Sequence, residues 1–157
     1  MRIGIFAGTT PETSFGLSEL VGFAKDIESR GFDTLWLPNI FGMDAVGACA
    51  VIGWETDHIE LGTAVTPTYP RHPAMLARQC LTIDHISGGR LEIGLGTGIP
   101  IDPSYDMMGL PNWEGKERVA RFKEYVTVVD RLLTNETSSF HGDHYTITGA
   151  VMKPRPV

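Results

Sequence analysis

The sequence is poor in cysteine and has no excess of basic residues. Cys49 and Cys80 are the two cysteines in 157 residues, which excludes a disulfide framework and fits reduced thiols in a cytoplasmic protein. With 13 Lys and Arg against 19 Asp and Glu, the formal net charge is -6. Such a chain offers no basic face to the phosphates of a nucleic acid or an anionic membrane, so we expect neither as a partner.

Long apolar segments are also missing. The longest apolar run, residues 45–54, is about half of the ~20 residues that a membrane-spanning helix needs. The amino-terminal MRIGIFAG has the pattern of a strand and lacks the apolar core of a secretory signal. Both features favour a cytoplasmic location.

Short apolar strands alternate with helices along the first part of the chain. Strands are predicted at residues 3–7, 34–37, 60–65 and 91–95, at about the spacing of βαβ units. Asp44 and Pro73 are expected to begin the second and third helices. This alternation predicts an α/β fold with a parallel sheet. It is either a small doubly wound sheet or the first half of an eight-unit barrel, which takes about 250 residues.

The last third of the chain predicts a proline-containing loop, a helix and a hairpin. The hairpin is expected to turn at Gly142 and Asp143. No repeat or linker interrupts the sequence, so we expect a single domain over residues 1–157. The apolar face of the helix is predicted to contain Val119, Phe122, Val126, Val129 and Leu133.

The exits of the third and fourth strands, where each strand ends, carry small residues, Thr and Pro. The two segments are IELGTAVTPTYPRHP at residues 59–73 and SGGRLEIGLGTG at residues 87–98. Ligands of parallel α/β folds bind at such strand ends, and small residues let a flat ligand approach the backbone. GLGTG does not match the dinucleotide fingerprint G-x-G-x-x-G, and Pro100 prevents a helix from starting directly after it. The segment is more typical of a strand exit that lines a ligand cleft.

LGTAVTP, YPRHP and SGGRLEIGLGTG resemble the motifs of the luciferase-like monooxygenase superfamily, and the resemblance extends over Met1–Val157. Members of this superfamily use FMN or the deazaflavin coenzyme F420. The resemblance implies a TIM (β/α)8 barrel, of which this chain holds about the first four β/α units as an amino-terminal half. The barrel implies the strand order 1-2-3-4, whereas a doubly wound sheet would show 2-1-3-4. The closing KPRPV is similar to the segment that leads into the fifth strand.

The resemblance also implies a cofactor site. In the family a non-proline cis peptide lies behind the flavin ring, and the motif match places it at Ala64 and Val65. The hydroxyls of Thr66 and Thr68 can hydrogen-bond to the pyrimidine edge of an isoalloxazine. The expected cofactor-binding residues are Asn39, Ala64, Val65, Thr66, Thr68, Gly96 and Thr97.

Three further polar residues are candidates for contact with the substrate or for support of the site. Arg71 and His72 follow the third strand, where a cation can face a polar group of a cofactor or substrate. The alternative is that Arg71 pairs with a carboxylate and that His72 caps the helix. Asp102 can reach the same cleft, although a carboxylate beside a flavin's electron-rich edge is costly unless it is paired.

The sequence departs from one branch of the family. In the deazaflavin-dependent sugar-phosphate dehydrogenases, an Asp-His pair and a Glu transfer protons. The corresponding residues here are Asn39 with Ile40, and Ile99. Isoleucine cannot exchange a proton, so that mechanism is not supported and the catalytic residues are unassigned.

A metal site is not predicted at the hairpin. His141, Asp143 and His144 lie close together in the sequence, but no further Cys or carboxylate cluster offers the third ligand that a catalytic metal needs. We interpret them as exposed polar residues.

Two functions from different classes follow. The first is an FMN- or F420-dependent oxidoreductase or monooxygenase that acts on a small organic substrate, with the cofactor supplying the redox chemistry. The alternative is a truncated, non-catalytic flavoprotein or interaction subunit that needs a second half-barrel. Family barrels bind the cofactor phosphate with later loops, which this chain lacks.

An isolated half-barrel is expected to associate. Strands one and four would be open edges, which invite pairing with another chain. We therefore expect a homo-oligomer or association with a C-terminal half-barrel. The side chains expected to face the uncovered interior are Ile3, Ile5, Leu35, Leu61, Leu91 or Ile93.

Overall fold

Strands and helices alternate along the chain and are followed by a hairpin. The computed structural model describes residues 1–8, 15–39, 41–98 and 104–157. In the described ranges, no helix is both long enough and apolar enough to cross a membrane. The elements are β1 (Gly4–Phe6), α1 (Leu17–Ser29), β2 (Thr34–Leu37), α2 (Ala45–Glu55), β3 (Glu60–Pro67), α3 (Pro73–Ser87), β4 (Leu91–Gly96), α4 (Ser104–Met107), α5 (Gly115–Thr134), β5 (Ser138–His141) and β6 (Thr146–Ala150).

The first four strands form one sheet in the order β1-β2-β3-β4. β1 pairs with β2 and β2 with β3 in parallel, and the register aligns Ile5 with Leu35 and Leu35 with Leu61. The order confirms the expectation from the barrel and contradicts the doubly wound arrangement. The bounds of β2 also agree with the sequence prediction, and Asp44 begins α2 as expected, where its carboxylate accepts a hydrogen bond from the Gly47 N–H at 2.8 Å.

The chain divides into two compact units. Unit 1 consists of Met1–Thr66, Cys80–Leu95 and Pro156–Val157, and contains most of the parallel sheet. Unit 2 consists of Pro67–Gln79 and Gly96–Arg155, and contains the hairpin. The expectation of a single domain stays a prediction.

The core of unit 1 lies between the sheet and its helices. Leu35 and Leu61 are fully buried, and Gly53 of α2 lies directly against Leu61. The prediction that these two leucines face the uncovered interior was therefore wrong. The other buried apolar residues of α1 and α2 are Leu20, Ala24, Ile27, Ala45, Val46, Ala48, Cys49 and Ile52.

The opposite side of the sheet carries aromatic residues. The register aligns Phe6, Trp36 and Gly62 in one row, and side chains alternate along a strand, so this row faces away from the helices. Phe6 is 62% exposed and Trp36 is partly exposed. Thr34 and Glu60 lie on this side as well, so the aromatic surface begins only at Phe6, Trp36 and Gly62. Apolar residues therefore occur on both sides of the sheet, and the sequence pattern alone did not tell the two sides apart.

Neither Cys49 nor Cys80 forms a disulfide, and both are buried. Burial, with the nearby Asp44 carboxylate and Cys80, raises the pKa of the Cys49 thiol to about 12. A thiol with such a pKa stays protonated at neutral pH and is a poor nucleophile. The cysteines therefore contribute to packing.

The buried face of α5 differs from the prediction. Val129 is buried as expected, but Val119 is 51% exposed and Val126 is also exposed. Tyr125 takes part in the core instead, because its ring packs edge-on against Tyr145 of the hairpin, with ring centroids 5.7 Å apart. The buried residues of α5 are Tyr125, Val128, Val129 and Leu132.

β5 and β6 form the predicted antiparallel hairpin, and the Gly142 N–H donates to the Tyr145 carbonyl across the turn. The Glu124 carboxylate accepts hydrogen bonds from the N–H groups of Asp143, His144 and Tyr145 at 2.9 to 3.1 Å. Burial acts to raise the pKa of this carboxyl, but the three donors and His144 outweigh it and lower the pKa. α5 thereby fixes the hairpin turn through one side chain.

A second carboxylate holds the connection between α2 and β3. Glu28 of α1 accepts hydrogen bonds from the N–H groups of Asp57, His58 and Ile59 at 3.0, 2.6 and 2.9 Å. Burial acts to raise the pKa of Glu28, but the three N–H donors and His58 lower it below its ordinary value of 4.5. The charged form is therefore favoured in the folded protein.

Arg90 braces the same connection from the other side. Its guanidinium donates to the carbonyls of Gly53, Thr56 and Ile59 at 2.7 to 2.8 Å, and its Nε donates to the Ser87 carbonyl at 2.6 Å. These bonds satisfy carbonyls at the end of α2, which have no partners within the helix. One side chain therefore ties the ends of α2 and α3 to the start of β3.

We predict that Glu28→Gln lowers the free energy of unfolding at pH 7 by about 1–2 kcal/mol, since a partly exposed carboxylate then loses charge-assisted hydrogen bonds. Because folding lowers the pKa of Glu28, its contribution is present above pH 4.5 and is lost as the pH falls through the lowered pKa. Urea unfolding of both proteins at several pH values should show their difference shrinking with acid. Glu136→Gln is the control, because Glu136 is exposed. A pH-independent difference would contradict the prediction.

Candidate functional site

The strand exits of unit 1 carry small side chains on the side of the sheet that faces away from the helices. Gly8, Pro38 and Ala64 each come two residues after a member of the row that contains Trp36, and therefore lie on the same side. The Leu61 N–H donates to the Arg90 carbonyl, which aligns Glu92 of β4 with Gly62, and Gly94 comes two residues later on that side. We call these four residues the small-residue row. None of them has a side chain larger than proline, so a flat ligand can approach the backbone of four adjacent strands.

Trp36 lies on the same side of the sheet, two residues before the small-residue row, and its indole forms a flat aromatic surface there. A Cβ atom built on Gly62 would lie 2.2 Å from Trp36 Cε3, and one built on Gly4 would lie 3.0 Å from Trp36 Cδ1. The indole therefore extends over both neighbouring strands, and it does so because both positions lack a side chain. The small-residue row and Trp36 together form a shallow, apolar surface at the strand exits.

The exit of β3 contains the cis peptide at Ala64-Val65, at the position that the motif match indicated. Gly94 of β4 lies close behind it, since a Cβ on Gly94 would be 2.1 Å from the Thr63 carbonyl oxygen and 3.5 Å from Val65 Cγ1. Ala64 is partly buried and Val65 is 46% exposed. Both residues are thus accessible at the strand exit.

Thr66 has a different environment from the one expected. Its side chain is fully buried, and its hydroxyl donates to Thr63 Oγ1 at 3.0 Å. The Thr63 hydroxyl in turn donates to the Gly94 carbonyl at 3.0 Å. Thr66 therefore supports the β3–β4 contact from within the protein.

Unit 2 brings together three other candidates. The Thr68 N–H and hydroxyl both donate to the Gly96 carbonyl, at 2.9 and 3.1 Å. The Thr97 hydroxyl donates to the Gly98 carbonyl at 3.0 Å. The β4 exit loop, residues 96–98, is thus hydrogen-bonded both to the residue after β3 and within itself.

Sequence reasoning missed three residues that pack on this loop. The rings of Tyr69 and Tyr105 stack with centroids 4.0 Å apart, and the Tyr105 hydroxyl donates to the Thr97 carbonyl at 2.5 Å. Arg118 Nη1 donates to the Gly98 carbonyl at 3.4 Å. Tyr69 could have been found, because it lies in the YPRHP motif. Tyr105 and Arg118 lie in a segment without a recognisable pattern, so the sequence offered no signal for them.

Asn39 and His72 act at helix starts. Asn39 Oδ1 accepts a hydrogen bond from the Ala45 N–H at 3.3 Å, at the beginning of α2. His72 Nδ1 accepts from the Ala74 N–H at 3.2 Å, at the beginning of α3, and its ring meets the Tyr145 ring edge-on at 5.9 Å. For His72 this is the capping arrangement that the sequence left open.

Of the two remaining candidates, Arg71 and Asp102, the structure describes only Arg71. Arg71 is partly buried in unit 2. Asp102 lies outside the described residues, as do Ile40 and Ile99. In the part of the chain that the structure describes, no group of three or more His, Cys, Asp and Glu residues could hold a metal ion.

Comparison with known proteins identifies the family. The family model described as luciferase-like monooxygenase matches residues 1–157. The chain belongs to this family. The strand order and the parallel pairing agree with the fold of luciferase-like TIM-barrel proteins, of which this chain matches about half. The barrel-type fold class predicted from the sequence is confirmed.

Two similar proteins are curated F420 enzymes. The F420-dependent glucose-6-phosphate dehydrogenase of Intrasporangium calvum is 35% identical over 153 residues, which cover 90% of this chain and 46% of that protein. The 5,10-methylenetetrahydromethanopterin reductase of Methanolobus tindarius is 32% identical over 135 residues, covering 85% of this chain and 40% of that protein. The chain thus spans less than half the length of both relatives.

A solved structure of an F420-dependent enzyme is similar to this chain as well. The coenzyme F420-dependent tetrahydromethanopterin reductase from Methanopyrus kandleri superimposes with a TM-score of 0.82 and 26% identity. The superposition covers 99% of this chain and 46% of that one. The described elements therefore correspond to about half of that protein.

We predict that Gly94→Ala lowers the free energy of unfolding by about 1–3 kcal/mol, because its Cβ would overlap a backbone oxygen that cannot move without displacing β3. The matched control is Gly22→Ala in α1, where a Cβ would meet no atom within 4 Å. That variant should stabilise the protein by about 0.5–1 kcal/mol, since alanine is the better helix former. Urea unfolding measures both changes. Equal stability of Gly94→Ala and the parent would refute the close contact.

Proposed function

We propose that this chain is the amino-terminal half-barrel of an F420-dependent oxidoreductase, in which hydride moves between the deazaflavin and a small organic substrate. The observation that carries the proposal is the small-residue row above Trp36, because it offers a flat ring access to the strand backbones. The named activities of the relatives favour F420 over FMN. FMN, and with it a monooxygenase reaction, is the alternative within the family.

The residues present fit a planar ring. A side chain at Gly94 would fill the space next to Thr63 and Val65, and the row contains no charged group that a ring would have to displace. Deazaflavin or flavin would supply the redox chemistry when bound. Ala64 and Val65 would then back the ring at the exit of β3, and Asn39 would offer an amide at the exit of β2.

The β4 exit loop supplies the second group of proposed contacts. Thr68 directly follows β3, and Gly96 and Thr97 are the last residue of β4 and the one after it. Thr68 is hydrogen-bonded to Gly96, and Thr97 to Gly98. Arg71, His72 and Asp102 would contact the substrate or support the residues that do. We assign no proton-transfer residue. Glucose 6-phosphate is not proposed as the substrate of this chain, because isoleucine, which cannot exchange a proton, occupies positions 40 and 99.

We further propose that the chain associates with a second set of strands, from a C-terminal half-barrel or a second copy. β1 and β4 are the edges of the described sheet, and edge strands offer unpaired backbone groups. Phe6, Trp36 and Val65 add exposed or partly exposed apolar surface on the same sheet. Cys49 and Cys80 are reduced thiols, which favours a cytoplasmic location for the assembly.

Ala64→Phe should abolish or strongly weaken cofactor binding, because the phenyl ring would occupy the surface of the small-residue row. Titration with F420 and separately with FMN, followed by the absorption of the cofactor, gives the dissociation constants. The control is Val119→Phe, a similar enlargement at a residue of α5 that is 51% exposed. If Ala64→Phe binds as the parent does, the ring lies elsewhere. If the parent binds neither cofactor, the proposed function fails.

Sedimentation equilibrium at micromolar concentration should show a species larger than the monomer. Covering each large apolar side chain of the exposed sheet face contributes about 1.5–3 kcal/mol, which is a large part of a typical stability of about 5–15 kcal/mol. A monomeric, cooperatively melting 157-residue chain would contradict association.

A further inference from the structure

We infer that Tyr105 is a positioning residue for the β4 exit loop and acts on a bound ligand through Thr97 and Gly98. This inference rests on the proposed function, which places Gly96 and Thr97 against the cofactor. Tyr105 itself is 1% exposed and would not touch the cofactor. Its role would be to fix the directions of the peptide groups in the loop.

The first contact is a hydrogen bond. The Tyr105 hydroxyl donates to the Thr97 carbonyl at 2.5 Å. The Tyr105 ring is held in place by its stack on Tyr69, with an angle of 27° between the ring planes. Since Tyr69 comes two residues after the end of β3, the stack anchors Tyr105 to the chain near that strand exit.

The second contact is direct packing of the loop on both rings. Gly98 has φ of +71°, a conformation that favours glycine. A Cβ at Gly98 would lie 2.8 Å from Tyr69 Cε1 and 3.1 Å from Tyr105 Cε2. The backbone at this position therefore lies against the two tyrosines with no space for a side chain.

Arg118 completes the arrangement from the first turn of α5. Its Nη1 donates to the Gly98 carbonyl, and its guanidinium lies 5.8 Å from the centre of the Tyr105 ring. The Trp113 carbonyl and Asn112 Oδ1 accept hydrogen bonds from the same guanidinium at 2.6 and 2.7 Å. Arg118 is thus fixed by its own partners and can hold the loop in one position.

These contacts determine where the amide groups of the loop point. The Gly96 carbonyl faces Thr68, and the Thr97 carbonyl faces Tyr105. In a planar trans peptide, the N–H of the next residue points opposite to the carbonyl. The Thr97 N–H therefore points away from Thr68, and the Gly98 N–H points away from Tyr105.

Two N–H donors with fixed directions suit an acceptor edge on the ligand. A ring carbonyl or a heterocyclic anion is the chemical class that they would recognise, since fixed backbone donors stabilise negative charge without reorganisation. Loss of the Tyr105 hydroxyl would free the Thr97 carbonyl to rotate, and the Gly98 N–H would turn with it. Tyr105 would then contribute to affinity without contacting the ligand.

Tyr105→Phe tests this directly, because it removes the hydroxyl and keeps the stacked ring. The matched control is Ser138→Ala, which removes another buried hydroxyl that donates to a backbone carbonyl, that of Arg131, at 2.7 Å. Both variants are made in the protein at the length that its gene encodes. F420 and FMN are titrated into each, and thermal unfolding is recorded alongside.

Tyr105→Phe should raise the dissociation constant about 3- to 10-fold, as expected for the loss of one hydrogen bond, whereas Ser138→Ala should leave it unchanged. Both should lower the melting temperature to a similar extent. Arg118→Gln, which weakens the contact with the Gly98 carbonyl, should shift affinity in the same direction as Tyr105→Phe. Equal affinity of Tyr105→Phe and the parent would overturn the inference.

A measurement without cofactor separates this inference from the proposed function. Backbone ¹⁵N order parameters of Thr97 and Gly98 should fall in Tyr105→Phe and stay unchanged in Ser138→Ala. Unchanged order parameters in Tyr105→Phe would overturn the positioning role even if cofactor binds. A parent protein that binds neither F420 nor FMN would overturn the proposed function, while the order parameters would still decide how the loop is held.

Discussion

The register of the parallel sheet is the constraint on which the rest of the structure depends. Because side chains alternate along each strand, aligning Leu35 with Leu61 places both against the helices and turns the next row to the other side. On that other side, Gly62 lies under the indole of Trp36. A shift of one residue in any strand would exchange the aliphatic core for the aromatic surface. The same register brings the small-residue row to the strand exits.

Much of this fold could be predicted because its signals are local. The four strands, the Asp44 cap and the hairpin turn each depend on residues that are neighbours in the sequence. The burial of particular faces could not be predicted in the same way. Apolar residues occur on both faces of the sheet, and the buried face of α5 is set by Tyr125 meeting Tyr145, twenty residues away in the chain. Such choices depend on which elements pack together.

The candidate site shows the same division. The motif match indicated the Ala64-Val65 peptide and the β4 exit loop, since both lie within short conspicuous segments. It did not indicate Tyr105 or Arg118, which reach the loop from helices that follow it. The Thr66 hydroxyl is buried on Thr63, and the exposed ring of His72 accepts a hydrogen bond from the Ala74 N–H at the start of α3.

The overlap of Trp36 with Gly62 has a consequence for how this family member could diverge. A side chain at position 62 is excluded while the indole covers it, and a smaller residue at position 36 would leave two bare strands. Position 62 can therefore accept a side chain only after the residue at position 36 has become smaller. A larger residue at position 62 alone would overpack the sheet, and a smaller residue at position 36 alone would leave a cavity. Because each single substitution is destabilising, Trp36 and Gly62 are expected to be retained as a pair, and with them the wide aromatic surface next to the strand exits.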